Sequence, residues 1–127
     1  MSVPDVSIVI PTFREAENLK ELLPTISRVL SAAALRGEVI VVDDNSCDGT
    51  VELIREMANS QVRLLVRTEE RGLSSAVIHG MEHATGDILL VMDADLSHPP
   101  EKLPALVAAM QSPPTEFAIG SRYGSRW

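Results

Sequence analysis

Only one cysteine, Cys47, occurs in the 127 residues, so neither an internal disulfide nor a multi-thiolate metal site is available. A reducing compartment is the expected setting, and zinc fingers and disulfide-stapled secreted scaffolds are excluded. Lysine is nearly as scarce. Lys20 and Lys102 are the only two, and 11 basic residues stand against 18 acidic ones. With a formal net charge of −7 the chain has no electrostatic footprint for DNA or RNA, which removes nucleic acid as a partner. Long apolar runs are missing too: those at 6–10 and 88–92 are far below the roughly 20 residues of a membrane span. Residues 1–5 lack the basic start of a signal peptide. These absences predict a soluble, cytosolic chain.

What is present suffices for one self-standing core. A chain of 127 residues is one domain, since chains divide only beyond roughly 250–300 residues. At 45% apolar it builds a core without disulfide or structural metal. Five short segments rich in Val, Ile and Leu, at 6–10, 38–42, 62–66, 88–92 and 116–119, read as strands buried on both faces. Helical periodicity lies between them: Leu19, Leu22, Leu23, Ile26 and Leu30; then Val51, Ile54, Met57 and Ala58; then Leu73, Ala76, Val77, Gly80, Met81 and Ala84. A fourth helix starts at Pro100 and runs through Leu103, Leu106 and Val107 towards Met110, where Pro113 and Pro114 stop it. Pro24 and Pro104 fall inside predicted helices and leave the starts there open. The alternation predicts an α/β, Rossmann-like fold: an open, mainly parallel sheet with helices on both faces.

In such sheets ligands sit beyond the carboxyl ends of the strands. Those ends carry Pro11 to Glu15, Asp43 to Ser46, Arg67-Thr68, Asp93-Ala94-Asp95 and Ser121-Arg122-Tyr123. Four carboxylates on one rim repel one another unless a cation or hydrogen-bond donors compensate them. Asp93 and Asp95, two positions apart on extended chain, present two hard oxygens suited to Mg²⁺ or Mn²⁺ completed by waters and phosphates. Alone, an Asp-x-Asp is an ordinary solvated loop or cap; its place opposite a second acidic strand end makes the metal reading the better one. Asp43 and Asp44 are placed to meet a nucleotide base or ribose, whereas Asp48 reads as structural, with Asp48 or Thr50 capping the following helix and Gly49 supplying a turn, and Cys47 reads as a turn residue. No Gly-x-Gly-x-x-Gly follows the first strand and no Walker lysine loop occurs, which argues against NAD and P-loop chemistry. His79 and His83, one helical turn apart, read as a solvated face rather than a metal pair. His98 divides between a phosphate contact and a turn.

Five motifs in order resemble the GT-A, family 2 glycosyltransferases: Pro11-Thr12-Phe13-Arg14-Glu15-Ala16-Glu17-Asn18, Val42-Asp43-Asp44-Asn45-Ser46, Arg71-Gly72-Leu73-Ser74, Met92-Asp93-Ala94-Asp95-Leu96-Ser97-His98-Pro99-Pro100-Glu101 and Gly120-Ser121-Arg122-Tyr123. Within that family the pattern is most like the enzymes that move mannose onto polyprenyl (dolichyl) phosphate. The resemblance implies an inverting transfer from a nucleotide sugar, GDP-mannose, to that lipid phosphate, in an enzyme peripheral to the cytosolic membrane face. It implies that Pro11, Phe13 and Glu15 border the base and ribose with Asp43 or Asp44, and that Asp93 and Asp95 hold Mg²⁺ or Mn²⁺ with Ser97 as a neighbouring ligand. Arg122 would approach the acceptor or donor phosphate, and Asp95 and Arg122 would carry the catalysis.

Two departures stand out. Phe13-Arg14 replaces a Tyr-Asn that is common in the family, and Ser97 stands where many relatives carry Gln. The chain also stops soon after Tyr123, whereas such enzymes continue with acceptor-site strands and membrane-contacting helices, so residues 1–127 are expected to be the donor-binding portion of a longer enzyme. Other readings are another nucleotide sugar and acceptor, a nucleotide-sugar-binding module without turnover, and a receiver-type phosphoacceptor. The receiver would need its acidic cluster after the first strand and a lysine after the fifth, and here neither holds.

Overall fold

The computed structural model describes residues 4–95, 97 and 99–111. Their order is β1 (Val6–Thr12), α1 (Ala16–Ala32), β2 (Gly37–Asp43), α2 (Thr50–Met57), β3 (Val62–Val66), α3 (Leu73–His83) and β4 (Ile88–Val91), then a 3-10 turn (Pro100–Lys102) that leads into α4 (Leu103–Gln111). The strands form one parallel sheet in the order β3-β2-β1-β4. This is the expected α/β fold; the expected strand at 116–119 lies outside the described residues.

The larger core joins α1, α2 and α4 to one sheet face through residues such as Leu22, Ile26, Ile54 and Val107 against Ile8, Ile10 and Val41. On the other face α3 sets Ala76 against Val9, Ile40 and Val42. Strand order reverses at β1, with β2 and β3 on one side and β4 on the other, which places the crevice of an open α/β sheet beside the carboxyl end of β1. Pairing of β1 with β4 ends at Val9 and Val91, so Pro11, which has no N–H to give, lies beyond that ladder.

Burial on both faces holds for β1 and β2 and fails at the sheet's edges. β3 is half-buried with Val66 exposed, and in β4 Ile88 and Leu90 are buried while Leu89 and Val91 are 40% and 46% exposed. The reason is that, among the described residues, α3 packs mainly over β1 and β2 and leaves that face of β4 largely uncovered. The α3 stripe is likewise narrower than its periodicity predicts: Ala76 and Gly80 are buried, but Leu73 and Met81 are exposed. Close approach needs the small residues, for a Cβ at Gly80 would fall 2.5 Å from Val9 Cγ1.

The two internal prolines resolve differently. Pro104 is the second residue of α4, where no helical N–H is required. Pro24 sits inside α1, which starts at Ala16 and continues through it. It lies on the exposed side of that helix, where a carbonyl deprived of its partner can turn to water.

At the amino ends of the strands a buried carboxylate ties the turn after α3 to the sheet. Glu38 accepts hydrogen bonds from Ser7 Oγ at 2.6 Å, Thr85 N at 2.6 Å, Thr85 Oγ1 at 2.8 Å and Arg63 Nη1 at 3.2 Å. Burial opposes its charge, but the bonds from Ser7, Thr85 and Arg63 outweigh that and hold its carboxyl below the ordinary value. With the folded pKa below the unfolded one, about 4.3, its stabilisation is complete above that pH and is lost as pH falls through the folded value. Glu38→Gln should therefore cost about 1–3 kcal/mol at pH 7. Urea titrations should show the gap between variant and parent narrowing below about pH 4.3; a gap constant with pH would show that folding leaves the pKa of Glu38 unchanged.

Candidate functional site

The rim at the carboxyl ends of the strands is stitched together by its own acidic residues. Asp43, buried at the end of β2, accepts at Oδ1 from Thr12 Oγ1 at 2.7 Å and Ser46 Oγ at 2.6 Å, and at Oδ2 from Ser46 N at 2.9 Å. Ser46 Oγ in turn accepts from Arg14 N at 2.6 Å. Asp48 spans two helix starts: Oδ2 accepts from Ala16 N, the first residue of α1, at 3.2 Å, and Oδ1 accepts from the Thr50 N and Oγ1 that open α2. Burial works against its charge, yet the hydrogen bonds from Thr50 and Ala16 hold its carboxyl below the ordinary value. Asp48 is thus structural, as its sequence position suggests, although Gly49 and not Asp48 occupies the N-cap position of α2. Cys47 is an exposed turn residue with φ of +54°, between Asn45 and Gly49, which also have positive φ.

Asp44 is committed on the other side. Arg67 grips it with two parallel bonds, Nε to Oδ1 at 2.8 Å and Nη2 to Oδ2 at 3.0 Å, and Gly72 N adds a third at 2.9 Å. Both side chains are buried. Burial opposes the charge of Asp44, but the hydrogen bonds from Arg67 and Gly72 and the nearby Arg67 and Arg71 cations leave its pKa lowered. Next to it opens a hollow of about 200 Å³ walled by Pro11, Phe13, Asp44, Arg71, Gly72 and Leu73. Phe13 is 40% exposed there, with the Arg71 guanidinium 4.5 Å and the Arg14 guanidinium 5.1 Å from its ring centroid. Glu15 precedes α1, half-buried, its carboxylate accepting from Asn18 Nδ2 at 2.6 Å.

After β4 the chain turns at residues 94–95 instead of staying extended, and Ala94 enters the larger core. Asp93 on one side of it is half-buried, Asp95 on the other is exposed, and Ser97 N donates to Asp95 Oδ1 at 3.0 Å. Among the described residues no three His, Cys, Asp or Glu are grouped to hold a metal ion. Two carboxylates and a hydroxyl suit a hard divalent cation that takes its other ligands from water or phosphate. The case for a cation narrows accordingly, because two of the four rim carboxylates, Asp43 and Asp44, are satisfied by protein donors.

Some expected residues fall elsewhere. Arg122, with Gly120 to Tyr123, and His98 lie outside the described residues. His79 and His83 are half-buried and pack ring on ring at 4.7 Å, with His83 Nδ1 2.9 Å from the His79 carbonyl oxygen. Arg67 stands at a strand end and Arg71 in a motif, positions to which spacing alone gives no role. Strand register would have exposed the first, because Asp43 pairs with Val66 and so sets Asp44 beside Arg67.

A family model described as glycosyl transferase family 2 matches residues 7–127. The dolichol-phosphate mannosyltransferase of Pyrococcus furiosus is 49% identical over 119 residues, 93% of this chain and 33% of the relative. That of Mycosarcoma maydis is 43% identical over 129 residues, 97% of this chain and 44% of the relative. A solved mannosyltransferase structure from Pyrobaculum calidifontis, in complex with GDP-Man and Mn²⁺, superposes with a TM-score of 0.74 at 31% identity, covering 89% of this chain and 34% of its own. The chain thus spans a third to under half of the length of these relatives.

The stitching role of Asp48 is open to test. Asp48→Ala should lower stability by about 0.5–2 kcal/mol, read as a lower urea midpoint, with Asp48→Asn losing less. An unchanged midpoint in Asp48→Ala would show that water replaces its contacts at no cost.

Proposed function

Because this chain belongs to glycosyl transferase family 2, we propose that it is the donor-binding portion of a metal-dependent, inverting mannosyltransferase. The enzyme would move mannose from GDP-mannose to a polyprenyl (dolichyl) phosphate at the cytosolic face of a membrane. The names of the mannosyltransferase relatives support the sugar, the donor and the acceptor. The observation that carries the reading is the presence on one rim of the Asp93–Asp95 pair and the hollow walled by Phe13, Asp44 and Arg71.

The hollow is smaller than the roughly 300–1,000 Å³ that takes a drug-sized ligand, which suits a single base. Phe13 and Arg71 would flank that base, Asp44 would close the floor, and Pro11 and Glu15 would border the ribose. Asp43 would act through the loop it anchors. Asp93 and Asp95, with Ser97 beside them, would hold Mg²⁺ or Mn²⁺, which supplies charge neutralisation for the departing diphosphate. An acceptor phosphate is already ionised at neutral pH, so no strong general base is required of the rim. Attack opposite the leaving group inverts the anomeric centre. Arg122 is assigned to the acceptor or donor phosphate. No helix among the described residues is long and apolar enough to cross a membrane. Contact with the membrane surface is assigned to parts of the enzyme beyond these residues.

Calorimetry tests the reading directly. GDP-mannose should bind tightly only with Mg²⁺ or Mn²⁺ present, and Asp95→Ala should abolish the difference between metal and chelator. Equal affinity of the parent chain in chelator would remove the metal from the site, and a preference for another nucleotide sugar would replace GDP-mannose as the donor.

A further inference from the structure

Arg67 engages all three guanidinium nitrogens while 8% exposed. Besides its two bonds to Asp44, Nη2 donates to the Gly72 carbonyl at 3.0 Å and Nη1 donates to Ser75 Oγ at 2.9 Å. Gly72 is therefore gripped at both ends, its N–H by Asp44 and its carbonyl by Arg67. Its backbone has φ 135° and ψ 149°, a region open essentially to glycine alone. Residues 68–71, which lead into it, are exposed and belong to no helix or strand. Arg71, the last of them, donates through Nη2 to the Asp44 carbonyl at 3.5 Å and lies 4.5 Å from the Phe13 ring centroid.

The geometry points to Arg67 as a positioning residue that acts through Asp44 and Gly72 to hold Arg71 against Phe13, keeping the hollow formed before any ligand arrives. An exposed loop left free would have to be ordered on binding, and fixing it beforehand removes that cost. The planar fork matters as much as the charge. A lysine ammonium offers three donors at one point and cannot reach both Asp44 oxygens, the Gly72 carbonyl and Ser75 together. The consequence for nucleotide binding rests on the donor-site reading above; the positioning of Arg71 does not.

Two measurements on this chain separate those levels. Side-chain protons of Arg71 near the Phe13 face carry a ring-current shift in NMR spectra, identified by its disappearance in Phe13→Leu. In Arg67→Lys that shift should collapse while the chain stays folded. In calorimetry with GDP and Mn²⁺, Arg67→Lys should weaken binding about tenfold, and Arg67→Lys/Arg71→Ala should bind no more weakly than Arg71→Ala alone, the mark of two residues acting as one unit. Should Arg67→Lys fail to fold, Ser75→Ala removes one Arg67 contact and should give a smaller loss with the same non-additivity. A ring-current shift that survives in Arg67→Lys, or losses that simply add, would overturn the proposal. A parent chain that binds no GDP while Arg67→Lys still loses the shift would sink the donor-site reading and uphold the positioning role.

Discussion

Asp43 and Asp44 leave the end of β2 as neighbours, and successive side chains on a strand point to opposite faces. Both are buried, and a buried carboxylate is tolerable only when its oxygens are supplied with donors. Each accepts three hydrogen bonds: Asp43 from Thr12 and Ser46, Asp44 from Arg67 and Gly72. The loop after β1 is thereby fastened to the loop after β2, and the loop before α3 to the same strand end. Pro11, Phe13 and Arg71 take their places from those attachments. Without the two carboxylates Asp48 would still tie the start of α1 to that of α2, but the loop before α3 would lose the bonds that Arg67 and Gly72 make to Asp44.

This division of labour bears on how charge is distributed. A chain of net charge −7 sets Asp43, Asp44, Asp93 and Asp95 at its strand ends, and the first two are hydrogen-bonded from within by hydroxyl, amide and guanidinium donors. Asp93 and Asp95, carried on a short turn after β4 and steadied by the burial of Ala94 between them, form the acidic pair that the proposed function gives to a cation. The arginines divide in the same manner. Arg67 is consumed by structure, whereas Arg71 and Arg14 lie exposed around Phe13.

The sheet shows a related asymmetry. The face covered by α1, α2 and α4 holds most of the apolar interior, while α3 meets the other face through Ala76 and Gly80 and so lies close to β1 and β2. A thin contact at small residues brings the amino end of α3, with Gly72 before it, within reach of Asp44. Larger residues at Gly80 would lift the helix and with it the wall of the hollow.

Element type, order and the family were legible in the chain, because periodicity and motif spacing are local properties. The stripe from Leu19 to Leu30 announced α1, the apolar segments announced four described strands within two residues of their observed ends, and the five ordered motifs identified glycosyl transferase family 2. Spacing also placed Asp43, Asp44, Asp93 and Asp95 on one rim. What spacing could not decide was which polar groups serve the scaffold and which face a ligand. Asp44 lies 23 positions from Arg67, and Asp43 lies 31 from Thr12. Only Ser46, three positions after Asp43, is close enough in the chain to signal an occupied oxygen, and Asp44 has no such neighbour among its partners. Burial of the edge strands escaped for the same reason, since Leu89 and Val91 are as apolar as Ile88 and differ only in what packs over them. Local pattern determined the elements and the positions of the chemistry; pairing register and helix packing decided which side chains come within hydrogen-bond reach, because that reach is set in space by segments far apart in the chain.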